Sequence, residues 1–349
     1  MSVTIARANP HDLHALHDLL ATSVPGEFVH KTVQSEVLLT GWFPVEPDRF
    51  RVTARWPVDH AFYEPVNGYH DPLFIAESVR QTVPLLSHVA YDVPFGHRQT
   101  WSTFRYEIDP APLIAKTTAA EVEMDIRCSD VVRRGGRLAS VRMRVEMTVD
   151  GVRLGWVETA FSNLSPTIYP RLRGPYADIA EAVRRAVPLA PPLAPSRVAR
   201  SRFADVVLSP TNAPDRTQLR ADHSHPFLFD HPVDHAPGML LLEAARQATH
   251  AAAGKRPVIA TAMDVSFAQY VEFDAPCWIQ AEAVGDQVRV QAEQNDVSAF
   301  TALVTATPVP AFLRTTRPQA ATPAKAPAAT PTPTPATARI PGQRSLRAF

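Results

Sequence analysis

The sequence predicts an α+β fold made of two similar halves, each a long helix set against an antiparallel sheet. Three observations predict it. Val141, Met143, Val145, Met147 and Val149 alternate with Arg142, Arg144, Glu146 and Thr148, the period of a strand with one face buried. Two nearly continuous apolar stretches, Asp71 to Leu86 and Gly238 to Ala253, have the length of helices. Glu-x-x-Arg-Gln occurs inside both stretches, at Glu77 to Gln81 and at Glu243 to Gln247, 166 residues apart.

The elements follow in chain order. Residues 1–27 form an N-terminal segment whose His11, His14 and His17 decorate a solvated helix face. Residues 28–164 are the first repeat. Its helix is followed by the alternating strand, an Asp150-Gly151 turn and a second strand from Leu154 to Phe161, a long hairpin. Residues 165–201 carry Pro166, Pro170, Pro175, Pro188, Pro191, Pro192 and Pro195 and read as a linker, with one short amphipathic helix from Asp178 to Val187. Residues 202–314 are the second repeat, with its helix and then strands at Trp278 to Val284, Val288 to Ala292 and Phe300 to Thr305, joined by Gly285-Asp286 and Asn295-Asp296 turns. From residue 315 to 349 the chain is an Ala/Pro/Thr tail with too little apolar surface to repay ordering.

Composition excludes several functions. Lys+Arg and Asp+Glu both number 35, so there is no basic excess with which to grip a nucleic-acid backbone. Only four of those cations are lysines, Lys31, Lys116, Lys255 and Lys325; with 34 prolines in 349 residues, this is the composition of a GC-rich genome. Cys128 and Cys277 form no CxxC pair and fall in strand-like segments, where they read as small core residues in a reducing cytoplasm. No apolar run reaches the ~18 residues of a membrane span. Gly-x-Ser-x-Gly, the phosphate loop and Gly-x-Gly-x-x-Gly are all missing, which removes support for a serine acyl-enzyme, nucleotide hydrolysis and dinucleotide redox chemistry. No cofactor is expected.

Within each helix the Glu, Arg and Gln share one face, and the other positions are apolar nearly all round. On a solvated face this would be an ordinary i,i+3 ion pair worth ~0.2–0.5 kcal/mol. Burial changes the balance, because a buried carboxylate and guanidinium need partners, and two copies point to a polar-lined pocket. Before the second helix stands Asp230-His231-Pro232-Val233-Asp234-His235-Ala236-Pro237-Gly238-Met239, and before the first a divergent His70-Asp71-Pro72-Leu73. His231 and His235 have no third ligand at a recognisable spacing, so no metal is expected. His235 caps the helix, bonds a core strand or takes part in catalysis, and His70 has the same alternatives.

The run from His225 to Ala244, with its phenylalanines, histidines, Pro-Gly, four apolar residues and Glu-Ala, resembles the hotdog segment of β-hydroxyacyl-ACP dehydratases. Its full wording, duplicated within one chain and preceded by Val29-His30-Lys31, Glu36-Val37-Leu38 and Val93-Pro94-x-Gly96-His97, resembles the A-factor biosynthesis (AfsA-type) hotdog family of actinobacteria over about residues 29–312. The resemblance implies a tandem double hotdog, an intramolecular pseudo-dimer with room for further oligomerisation. It also implies an acyltransferase that moves a β-ketoacyl group from acyl carrier protein to the hydroxyl of dihydroxyacetone phosphate, the first step towards γ-butyrolactone signals. A hotdog thioesterase or dehydratase, or a non-catalytic lactone-binding regulator, is the alternative.

Under that reading Gly238, at a helix start, is the oxyanion candidate. Glu243 or a neighbouring histidine, His231 or His235, is the general base, and Arg246 or Arg80 holds the phosphate. Gln247, Gln81 and His70 complete substrate binding, and Glu77 positions its partner. Because Gly238 aligns with Pro72, which has no N–H to donate, one productive site is expected rather than two.

Overall fold

The computed structural model describes residues 24–213 and 215–310. The N-terminal histidines and the Ala/Pro/Thr tail lie outside them. The elements of the first half are β1 (Leu39–Glu46), β2 (Arg49–Trp56), α1 (Leu73–Val89), β3 (Arg98–Ile108), β4 (Ala120–Arg134), β5 (Arg137–Val149) and β6 (Val152–Leu164). Two short helices follow, α2 (Tyr169–Arg173) and α3 (Ile179–Arg184), the second inside the Asp178 to Val187 stretch. The second half repeats the first: β7 (Leu208–Pro210), β8 (Arg216–Leu219), α4 (Gly238–Ala253), β9 (Val258–Phe267), β10 (Trp278–Val284), β11 (Gln287–Gln294) and β12 (Val297–Pro308).

All twelve strands join one antiparallel sheet in the order β1-β2-β4-β5-β6-β3-β9-β12-β11-β10-β8-β7. Read outward from the centre, both halves run in the same sequence, and the centre is the β3/β9 pair, where Thr103 to Glu107 face Ser266 to Ala262. The two halves therefore share their backbone hydrogen bonding.

The hairpin turns arise where the sequence places residues that accept positive φ. Asp150 and Gly151 (φ 50° and 77°) turn β5 into β6, and Asn295 and Asp296 (φ 53° and 59°) turn β11 into β12. Only the first helix departs from expectation: α4 covers the whole predicted stretch, whereas α1 begins two residues late, at Leu73, and runs on past Pro84 and Leu86 to Val89. Two strands before each helix were not anticipated. β1 lacks strict alternation of burial and β7 and β8 are only 3 and 4 residues long, so these three carry no period-2 signal; β2 does alternate, with Phe50, Val52, Ala54 and Trp56 buried.

Each helix is buried against its own half of the sheet. Trp56 of β2 stacks on Phe74 with ring centroids 5.4 Å apart and donates its indole N–H to Ser78 Oγ (2.8 Å). Asn163 of β6 reaches Ser87 at the other end of α1 (3.3 Å). Met239, Leu240, Leu241 and Leu242 are buried at the start of α4, and nothing charged remains on either helix except the repeated Glu and Arg and the terminal histidines. Among the described residues no helix is long and apolar enough to cross a membrane.

Candidate functional site

The two Glu-x-x-Arg-Gln copies build the same constellation. Arg80 donates from Nε and Nη2 to the two oxygens of Glu77 (3.0 and 2.9 Å), Gln81 donates to Glu77 (2.8 Å), and Lys31 Nζ lies 3.1 Å from it. In the second half Arg246 donates in the same fork to Glu243 (2.7 and 2.8 Å), as do Gln247 (2.5 Å) and Arg200 (2.7 Å). The backbone partners match as well. Arg80 reaches Val29 O and Arg246 reaches Val198 O. Gln81 bonds Leu38 N and Glu36 O, and Gln247 bonds Val207 N and Asp205 O. His60 lies against Glu36 and caps the Phe62 and Tyr63 amides, while His225 does the same with Asp205 and the Phe227 and Leu228 amides. The glutamines therefore pin loops to their helices, and neither Gln81 nor Gln247 faces open space.

The copies differ in what stands in front of them. Asp71, just before α1, is fully buried and turns its carboxylate towards the second copy: Oδ2 lies 3.0 Å from Arg200 Nη1 and 3.9 Å from Arg246 Nε, while Oδ1 accepts the Leu73 amide (3.0 Å). Arg200 also donates to Phe62 O (2.7 Å) and stacks on the Phe62 ring. This side is closed. Glu243, Arg246 and His70 are all buried away from the cavity described next, with His70 edge-on to the stacked Trp56 and Phe74 rings and its pKa lowered by burial. The counterpart of Asp71 is Pro237, which carries no charge to fill the first copy.

In front of the first copy lies a cavity of about 840 Å³ between the halves. Lys31, Arg80, His97 and Arg98 come from the first half; His231, His235 and Gly238 come from the second. Of the residues anticipated for chemistry, the structure thus gathers His231, His235, Gly238 and Arg80, with Glu77 directly behind Arg80. Glu243, Arg246, Gln247, Gln81 and His70 stay outside. Lys31, Arg200 and Asp71 acquire partners that no helix spacing announces; the signal for the two cations was the recurrence of Val29-x-Lys31 as Val198-x-Arg200.

Electrostatics separates the wall from the buried networks. Burial pushes the Glu77 carboxyl up, but Arg80 and Lys31 outweigh it and hold it at about 2. Burial also raises Glu243, and Arg200 with Arg246 hold it well below the usual carboxylate range, too weak a base to accept an alcohol proton. His30, on the cavity wall, is pushed down to about 3 by burial and by His88, whose Nε2 is 3.0 Å from its own. Cys128 and Cys277 are raised by burial to about 11 and about 12, so both remain thiols. Among the described residues no group of three or more His, Cys, Asp or Glu is arranged around a metal position.

The Glu77 value sets an acid limit. Its folded-state pKa, about 2, lies below the ordinary carboxylate value of about 4.3 that it regains on unfolding. The stability it contributes is complete above that ordinary value and is lost as pH falls towards 2. Melting curves between about pH 6 and pH 2.5 should therefore show Tm falling more steeply for the natural protein than for Glu77→Gln. Parallel slopes would show that Glu77 does not titrate with folding.

At the start of α4 the packing is close. A Cβ on Gly238 would lie 2.7 Å from Trp101 Cε3, so only glycine lets this helix end meet the Trp101 ring across the cavity wall. Pro237, the N-cap, supplies no side-chain bond, and the first amides of any helix have no intrahelical acceptor. Gly238 and Met239 therefore bring free N–H groups and the positive end of the helix dipole to the cavity. His235 does not cap the helix. Its Nδ1 lies 2.8 Å from Asp234 Oδ1, whereas His231 Nδ1 is 3.4 Å from Asp230 Oδ2. Asp230 is itself tied to the first half by the Thr32 amide and hydroxyl (3.0 and 2.9 Å).

Known proteins resemble this chain over most of its length. The family model of the A-factor biosynthesis hotdog domain matches residues 14–165 and 182–310. A 2-oxo-3-(phosphooxy)propyl 3-oxoalkanoate synthase of Streptomyces virginiae is 44% identical over 291 residues, 82% of this chain and 98% of its own. A protein of the same name from Streptomyces coelicolor is 41% identical over 75% of this chain and 82% of its own, and one from Streptomyces griseus is 36% identical over 80% and 93%.

Proposed function

The chain belongs to the A-factor biosynthesis hotdog family, and from that premise we propose that it is an acyltransferase moving a β-ketoacyl group from acyl carrier protein to the hydroxyl of dihydroxyacetone phosphate. In this reading the halves are two hotdog repeats, residues 28–164 and 202–314, fused into an intramolecular pseudo-dimer through the linker at 165–201. The observation that carries it is a cavity in which a free helix N-terminus, His231, His235 and a group of cations meet. Its volume suits an acyl chain and a small acceptor together.

The chemistry divides among these groups. The thioester carbonyl oxygen sits at the start of α4, where the Gly238 and Met239 amides meet the charge that develops on it. Arg80 and Lys31 hold the acceptor phosphate, and Glu77 keeps both cations in place. His235 takes the proton of the acceptor hydroxyl as its oxygen attacks the carbonyl carbon. The new C–O bond forms, the C–S bond breaks, and the proton passes to the departing carrier thiolate. Glu243, Arg246, Gln247, Gln81 and His70 hold the fold around the site rather than touching substrate.

Two measurements test this. Incubation with β-ketoacyl-ACP and dihydroxyacetone phosphate should yield the phosphorylated ester by mass spectrometry; free acid alone would assign a thioesterase, and dehydration of a hydroxyacyl substrate a dehydratase. Arg80→Lys should raise KM for the phosphate acceptor about tenfold with less than about a threefold change for the acyl donor, since lysine keeps a charge and loses the guanidinium fork. Equal rises in both constants would remove Arg80 from acceptor recognition.

A further inference from the structure

We propose that Asp234, clamped by Tyr169 and Arg173 from the linker, is a positioning residue that fixes the tautomer and ring orientation of His235. The proposal rests on the reading of His235 as the base. Asp234 is buried, and its carboxylate is saturated. Tyr169 Oη donates to both oxygens (2.7 and 2.8 Å), Arg173 Nε donates to Oδ2 (3.1 Å), and His235 Nδ1 lies 2.8 Å from Oδ1. An ionised carboxylate only accepts hydrogen bonds, so the His235 proton must sit on Nδ1, and Nε2 keeps the lone pair a base needs. Burial pushes Asp234 up, but its bonds from His235, Tyr169 and Arg173 outweigh this and hold it ionised.

Orientation comes from the same cluster. Arg173 is anchored on its other side by Glu272 (2.5 and 2.7 Å) and lies over the Tyr270 ring at 4.1 Å. Tyr270 in turn meets His235 edge to face at 4.6 Å. The imidazole is thus gripped at one nitrogen and packed on one face. His231 has neither restraint at comparable distance. With the 166-residue offset, Asp234 and His235 correspond to Gly68 and Tyr69, so the dyad exists only beside the open cavity. A linker read from sequence as a spacer therefore contributes two side chains to the site's second layer of contacts.

The experiment is nitrogen-15 NMR of the histidine rings in the full chain, with steady-state kinetics on the same samples. The natural protein should show His235 protonated at Nδ1. In Asp234→Asn the amide donates to Nδ1 and the proton should move to Nε2, with kcat falling ~10²- to 10⁴-fold and both KM values within about threefold. An unchanged tautomer in Asp234→Asn overturns the proposal whatever the rate. A switched tautomer with unchanged kcat sustains the positioning role and overturns His235 as the base. Tyr169→Phe is the milder variant: it keeps the Asp234–His235 bond but concentrates charge on Asp234, so the acidic limb of the kcat/KM profile should move to higher pH. A limb that stays in place overturns the clamp.

Discussion

Replacing Glu243 by glutamine is expected to lower Tm by about 10 °C and to leave turnover per folded molecule within a few-fold. Glu243 is fully buried, and its carboxylate faces Arg200 and Arg246, with Asp71 as the other carboxylate within 4 Å of both. Glutamine keeps the shape and removes the charge, which leaves two buried guanidinium groups on one carboxylate. Breaking a buried pair in this way costs about 3–5 kcal/mol, and each kcal/mol is worth about 2–4 °C in a domain of this size. Melting curves followed by circular dichroism, with kcat normalised to folded protein, check the expectation. A ~10²-fold loss of kcat at unchanged Tm would instead make Glu243 the general base, the alternative that the sequence left open. Glu77→Gln should behave differently: its cations line the cavity, so loss of the charge loosens Arg80 and Lys31 and should appear mainly in KM for the phosphate acceptor.

That contrast shows where sequence reasoning reaches its limit. The two helices, the hairpin turns and the burial of the repeated Glu-x-x-Arg-Gln were legible because each depends on residues close together in the chain. The two copies are identical in Glu, Arg and Gln, yet one stands at a cavity and the other is sealed. The difference lies in the facing half, in the replacement of Pro237 by Asp71 at the corresponding helix start. No spacing within either helix encodes it. The same holds for Tyr169 and Arg173, which find Asp234 across more than sixty residues of chain, and for Lys31 and Arg200, whose partners are defined only once each loop has closed over its helix. Asp71 was within the predicted helix; its carboxylate became visible as a plug only when both halves were in place.

Changing Gly238 to valine should abolish turnover rather than halve it. If the repeats carried equivalent sites, obstructing one would leave the other, and the loss would be about twofold. The pseudo-equivalent position in front of Arg246 is already occupied by this chain's own Asp71, held by Arg200, and the helix that follows it, α1, has Pro72, with no amide proton to give an oxyanion, where α4 has Gly238. Every productive encounter then passes through the start of α4. A Cβ there would meet Trp101 at 2.7 Å, and the larger valine must push the indole into the cavity or tilt the helix end, displacing the amides from the carbonyl they serve. Loss of such donors costs at least ~10² in kcat. The accompanying binding measurement is titration with a non-hydrolysable acyl-ACP analogue, which should saturate at one acyl group per chain for the natural protein and show none bound to Gly238→Val. Tm within a few degrees of the natural value would place the loss at the site. Two acyl groups per natural chain, or half the activity surviving in the variant, would mean that Asp71 withdraws and that the sealed half also works.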